Sequence, residues 1–269
     1  MKDIALQTAR SSPQPLNVLR EYLQNDILGS LQETGAGERL YFVGGTALRF
    51  LYRIPRFSED LDFSAASGWR PAAFAAKMGK IKEDLELAGY EMSLSVNDDR
   101  IVQRAELRFP GLLFELRLAP RPEQKLVIAV EVDARPPRGW SGERTIVNLY
   151  RPILLQHYDL RSMFTAKIAA VLTRPYAKGR DYYDLFWYLS RWKDLEPVPL
   201  LLKSALAQKG KSLPGKRLEA WRDLLGANIR EADWRTLVRD VSPFLERSDD
   251  IRIFTRENTL RLLEARPSA

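Results

Sequence analysis

Asp60 and Asp62 stand two residues apart in Ser58-Glu59-Asp60-Leu61-Asp62-Phe63, and Glu131 and Asp133 repeat that spacing in KLVIAVEVDA (125–134). In a strand, residues i and i+2 point to one face, so each pair would present two carboxylates together while its apolar neighbours face the other way. Strand geometry sets such carboxylates about 6–7 Å apart. They repel unless a cation lies between them. A divalent ion shared between carboxylates and the phosphates of a nucleotide relieves that repulsion. Unpaired carboxylates are costly in so apolar a run as 125–134. If this strand lies beside that of Asp60 and Asp62, Glu131 or Asp133 completes a three-carboxylate set.

A second arrangement precedes the first. An apolar strand at 40–43 ends on Gly44-Gly45, and Thr46 opens a short helix. Glycines let a backbone approach a phosphate, and a helix N-terminus offers free N–H groups with a favourable dipole. The pattern is neither the GxxxxGK[ST] of a P-loop nor the GxGxxG of a dinucleotide fold. Alone, the glycines also fit a tight strand-to-helix turn, and Asp-x-Asp also fits a solvated acidic face. Further along, Lys167 sits on an amphipathic helix with Ile168, Val171 and Leu172. Asp181 and Asp184, three apart, share one face of the next helix, with Asp181 in a first turn that favours acids anyway. Tyr182, Tyr183, Phe186, Trp187 and Tyr188 have the spacing of a helix core, although an exposed ring could stack on a base.

Composition narrows the metal. The 269 residues include no cysteine and one histidine, His157. That excludes a disulfide framework, a thiolate site and a multi-histidine zinc site, and leaves carboxylate-held Mg²⁺ or Mn²⁺. No apolar run approaches the ~20 residues of a membrane span. The N-terminal MKDIALQTARSSPQPL lacks the apolar core of a signal peptide, so a cytoplasmic location is expected. Between 135 and 193 there are eleven Lys or Arg and four acids, so this window carries the whole net charge of +7. Such a segment attracts a polyanion, or is a solvated basic surface.

The elements that must position these groups follow from periodicity. Leu19, Leu23, Ile27 and Leu31 mark a helix over 16–33. Strands are expected at 40–43, 60–64, 90–96, 101–109, 112–118, 125–134 and 145–149, with 101–109 and 112–118 paired around Pro110-Gly111. Helices are expected at 46–52 and at 71–88, the latter stopped by Gly89. Beyond 150 the chain reads helical, at 160–173, 180–192, 198–208, 217–225, 231–246 and 255–265. The fold class is therefore α+β: a mixed sheet flanked by helices over 1–150, then an all-α domain over 151–269.

In this order, GGTALRFLY, RFSEDLDF, Glu131-Val132-Asp133-Ala134-Arg135-Pro136-Pro137, Met163 to Ala170 and Lys178 to Leu185 resemble the AbiEii/AbiGii toxin family, whose members carry the nucleotidyltransferase fold of the DNA polymerase β superfamily. The resemblance covers about residues 38–192. It implies an enzyme that moves an NMP from an NTP to an acceptor such as tRNA, as the toxin of a type IV toxin–antitoxin or abortive-infection system with a cognate antitoxin. It implies Asp60, Asp62 and Glu131 as metal ligands. Gly44, Gly45 and Ser58 would contact the phosphates, and Lys167 would bind one. Asp181 would be a catalytic aspartate, and Asp184 a further contact to nucleotide or to Lys167. Two other readings keep the fold: a non-catalytic nucleotide- or partner-binding module, and a kinase-like phosphoryl transferase.

Overall fold

The computed structural model describes residues 1–211 and 220–265. Two compact units are present. The sheet unit comprises Met1–Arg53, Phe57–Pro136 and Glu143–His157, and the helical unit takes Ile54–Arg56, Pro137–Gly142 and the chain from Tyr158 onward.

In the sheet unit, α1 (Lys2–Arg10) and α2 (Pro15–Glu33) precede β1 (Leu40–Val43), α3 (Gly44–Tyr52) and β2 (Leu61–Ala65). Then come α4 (Phe74–Leu87), β3 (Ser93–Asn97), β4 (Val102–Phe109), the one-turn α5 (Leu112–Glu115), β5 (Leu126–Asp133), β6 (Gly142–Asn148) and β7 (Pro152–Tyr158). The strands form one mixed sheet in the order β3-β4-β5-β2-β1-β7-β6. The central pair β2 and β5 is parallel, β1 runs antiparallel to β2, and β4 runs antiparallel to both β5 and β3.

Alternation along the strands gives this sheet two unlike faces. Leu61 and Phe63 of β2, Ala105, Leu107 and Phe109 of β4, and Ile128, Val130 and Val132 of β5 are buried. Leu19, Leu23, Ile27 and Leu31 of α2 are buried at the four-residue spacing expected, and Phe74, Met78, Ile81 and Leu85 of α4 are buried at spacings of three and four. Burying each such side chain stabilises the unit by about 1.5–3 kcal/mol. Phe42 of β1 stacks on Phe63 and meets Phe50 of α3 edge-on, which ties α3 to the strands it connects. The opposite face of β2, β4 and β5 carries the charged residues.

The helical unit contains α6 (Leu160–Thr173), α7 (Gly179–Arg191), α8 (Pro199–Gln208), α9 (Trp221–Glu231), α10 (Trp234–Val241) and α11 (Arg256–Glu264). Asp159 caps α6 by accepting from the Ser162 N–H at 2.7 Å. The aromatic run of α7 is core: Tyr182, Tyr183, Phe186, Trp187 and Tyr188 are all buried. Gly179 must be glycine, because a Cβ there would lie 2.1 Å from the Leu237 carbonyl oxygen of α10.

The secondary structure departs from expectation in several places. No strand forms over 112–118: its first four residues make α5 and the rest is turn and bend. Gly111 turns the chain at φ +79°, and β4 takes β5 as its partner instead, leaving an LLFELRL strand nothing to pair with. β7 occupies 152–158, where no strand was expected, and pairs in parallel with β1 through Phe42 and His157. The helix expected at 231–246 is broken: α9 ends at Glu231, Asp233 caps a new helix, and Ser242–Phe244 is a 3-10 turn. The start of the helix expected at 217–225 lies outside the described residues up to 219. α1 was not foreseen.

Candidate active site

Strand register builds the first part of the site. Asp62 pairs with Val43 of β1 on one side and Glu131 of β5 on the other. Glu131 pairs in turn with Arg104 of β4, and Arg104 with Asn97 of β3. Register-paired residues share a face, so Val43, Asp62, Glu131, Arg104 and Asn97 form one row across five strands. Asp133 lies one step along, opposite Ser64, and accepts the Arg135 N–H at 2.9 Å in a local turn. Of the two acids on β5, Glu131 is therefore the neighbour of Asp62.

Gly44 closes the row at the end of β1. Its φ is +80°, and a Cβ there would fall 2.3 Å from Asp62 Oδ2. The position needs glycine twice over: for its left-handed backbone and for the carboxylate lying against it. Gly44 and Gly45 open α3, so the helix N-terminus starts beside the Asp62 carboxylate. Asp60 stands just before β2, not within it, and its Oδ1 accepts the Ala129 N–H at 3.3 Å.

The loop that delivers Asp60 is pinned by Thr46 and by residues that the sequence did not single out. Gln24 of α2, almost fully buried, donates from Nε2 to the carbonyls of Ser58 at 3.1 Å and Glu59 at 2.9 Å. Thr46 Oγ1 donates to the Asp60 carbonyl. Arg49 of α3 lies over the Phe57 ring, 4.7 Å from its centroid, and bonds the buried Glu21 carboxylate of α2 at 2.5 Å. Tyr150 donates to the other Glu21 oxygen at 2.9 Å. Ser58 is thus held through its backbone carbonyl, with its own side chain half-buried.

Arg104 is the cation of the row. Its Nη1 bonds Glu131 Oε1, and its Nε lies 3.2 Å from Glu106 Oε1. Partial burial disfavours its charge, but Glu131, Glu106 and Asp60 outweigh that and hold the guanidinium above its ordinary pKa. Among the described residues, no three acidic or histidine side chains are gathered closely enough to hold a metal as they stand. The donor chemistry nevertheless fits a hard divalent ion: Asp62 and Glu131 are register neighbours on one face, Asp60 precedes Asp62 by two residues, and all are oxygen donors.

The helical unit carries its own charged cluster. Lys167 Nζ of α6 donates to Asp181 Oδ1 at 2.7 Å and lies 2.8 Å from Asp184 Oδ2, both on α7. The sequence had the two aspartates on one helix face, and the structure turns that face toward Lys167. Arg56, which belongs to this unit, grips Asp184 with Nε on Oδ1 and Nη2 on Oδ2, each at 2.6 Å. Asp184 is fully buried and Arg56 nearly so. Arg174 Nε lies 2.6 Å from Asp181 Oδ2. Burial alone would raise the Asp181 pKa, but Lys167 and Arg174 overcome it and lower it to about 2. Burial also works against the Lys167 ammonium, and Asp181 with Asp184 more than restores it, so its pKa lies above the ordinary value. Lys178 shows the opposite balance: burial and then Arg180 push its pKa down, with only Asp181 opposing among its main influences.

Comparisons with known proteins agree with this architecture. The family model described as nucleotidyl transferase AbiEii toxin, type IV TA system, matches residues 26–255. No curated protein matches the chain. Among solved structures, the nucleotidyltransferase toxin MenT4 from Mycobacterium tuberculosis H37Rv superposes with a TM-score of 0.59 at 19% identity, over 99% of this chain and 91% of that one. JHP933 from Helicobacter pylori gives 0.53 at 16% identity, over 92% and 88%. A putative nucleotidyltransferase from H. pylori gives 0.52 at 18%, over 91% and 89%. These structures share the α+β fold, and the family match spans most of the sequence. The chain belongs to the AbiEii family of nucleotidyltransferase toxins.

Proposed function

We propose that this protein moves an NMP from an NTP to an acceptor in a divalent-metal-dependent reaction, that the acceptor is an RNA such as tRNA, and that a cognate antitoxin restrains it. The observation that carries the reading is the row Val43–Asp62–Glu131 with Gly44 against the Asp62 carboxylate. Asp60, Asp62 and Glu131 would hold Mg²⁺ or Mn²⁺. When bound, the ion would neutralise the triphosphate and the charge that develops as pyrophosphate leaves.

The chain's own residues do the rest. The first N–H groups of α3, from Gly44 and Gly45, have no carbonyl partner within the helix and suit a phosphate. Ser58 adds a hydroxyl from the pinned loop. Glu131, as the acid nearest Asp62 on β5, is the group to accept the proton of an attacking hydroxyl. In the helical unit Lys167 uses two of its three N–H donors on Asp181 and Asp184, and the third remains for a phosphate. Asp181 fixes that ammonium. Asp184 does so as well, because Arg56 and Lys167 occupy both of its oxygens, and we assign it no contact with nucleotide. The basic window 135–193 supports a polyanionic acceptor.

The test is incubation of the purified protein with Mg²⁺, total tRNA and each of four α-labelled NTPs, beside the Asp60→Ala/Asp62→Ala double variant. Label in RNA with wild type alone is the expected result, and it identifies the base. Release of NDP in place of pyrophosphate would replace nucleotidyl transfer with phosphoryl transfer. NTP binding with neither product would make the protein a binding module.

A further inference from the structure

Arg104 stands inside the carboxylate row rather than beside it. It lies opposite Glu131 on the sheet, as Glu131 lies opposite Asp62. Its Nη1 is bonded to Glu131, and its Nε is within reach of Glu106. Arg108 bonds the other Glu106 oxygen at 2.7 Å, so Glu106 is shared between the two arginines. Glu131 therefore already has a cationic partner. Resting on the reading of Asp60, Asp62 and Glu131 as metal ligands, we propose that Arg104 is the built-in counter-cation of the metal site, and that a divalent ion must displace it from Glu131 before the three carboxylates close.

Two observations favour exchange over a permanent pair. The Arg104 and Glu131 side chains are 44% and 30% exposed, against 2% and 0% for Arg56 and Asp184. An exposed pair opens readily, because water replaces each partner; a buried pair does not open without stranding a charge. Glu106 also gives the released guanidinium an anion it already touches, so the handover breaks one of two ion pairs. Without a metal, Arg104 offsets the repulsion that would otherwise act among the acids of this face. With a metal bound, its fork is free on the side that faced Glu131, as a planar anion-binding group on the same face as the acids. Arg104 is thus a positioning residue. It keeps intrinsic metal affinity low, so that loading depends on the further oxygens that a triphosphate brings.

Metal affinity in the absence of nucleotide tests this directly. The free Mn²⁺ signal in electron paramagnetic resonance, titrated with the full chain, gives the affinity for wild type, Arg104→Gln, Arg108→Gln and Asp62→Asn. Arg104→Gln is expected to bind Mn²⁺ about tenfold tighter, since the competing cation is gone. Arg108→Gln removes the same charge from the same face without touching Glu131, and should stay within about twofold of wild type. Asp62→Asn should lose the binding. A gain of affinity cannot come from misfolding. Unchanged or weaker binding by Arg104→Gln overturns the proposal, and so does equal tightening by Arg108→Gln, which would reduce the effect to net charge. If wild type binds, Asp62→Asn does not, and Arg104→Gln matches wild type, the metal site stands and only the role of Arg104 falls. If neither wild type nor Arg104→Gln binds Mn²⁺, both the proposal and the metal reading fail.

Discussion

Gly44 serves the turn and at the same time leaves room for the Asp62 carboxylate. Its positive φ and the Asp62 oxygen lying where a Cβ would go act against any side chain there. Gly44→Ala should destabilise the sheet unit by about 1–3 kcal/mol and displace the Asp62 carboxylate, lowering transfer by about 10²-fold, as measured by urea denaturation and the labelled-NTP assay. The two aspartates of α7 should separate by stability. Asp184→Ala leaves Arg56 buried without its clamped partner and is expected to cost about 3–5 kcal/mol in denaturant unfolding. Asp181 should instead show itself in acid. Its folded pKa is depressed from 3.8 to about 2, so its contribution to stability is full above 3.8 and is lost as the pH falls through about 2. Asp181→Asn should flatten the pH dependence of the unfolding midpoint in that window. Asp60, Asp62 and Glu131 were legible as candidates because a period of two is visible in the chain itself. Arg104 was not, because a cross-strand partner depends on register, and register is a property of two strands together.

At the scale of elements, α2 does more than cover the sheet. Its apolar residues fit a helix read from sequence, but its buried polar residues Glu21 and Gln24 make sense only once the loop at 57–60 and helix α3 are in place. Gln24→Ala leaves two loop carbonyls without their donor. It should cost about 1–3 kcal/mol and reduce transfer by about tenfold or more through a misplaced Asp60, seen as a fall in kcat larger than any rise in KM for the NTP. The two strand errors share one cause. LLFELRL at 112–118 has the composition of a strand but no partner once β4 pairs with β5, whereas β7 becomes a strand through a long-range parallel pairing with β1. The helices α6 and α7 were legible because the spacing that marks them is local. What Asp184 grips was not, since Arg56 lies 128 residues away in the chain.

Over the whole molecule, the sequence showed a change from mixed to helical composition near residue 150. The compact units are less simple in the chain: Ile54–Arg56 and Pro137–Gly142 belong to the helical unit although each is flanked in sequence by sheet-unit residues. Composition cannot reveal such excursions of a few residues, and one of them supplies Arg56. The sheet unit carries the paired acids and the glycine turn, and the helical unit carries a buried cluster of alternating charge around Lys167. The central claim is that the acids of the sheet unit carry the chemistry. The most direct measurement is the transfer rate of Asp62→Asn against wild type, taken with the thermal midpoint of both. Asp62 is only half-buried, and asparagine keeps its shape against Gly44, so the fold should stay intact while transfer falls by about 10³-fold or more. A folded Asp62→Asn protein that transfers nucleotide within a few-fold of wild type would contradict the account.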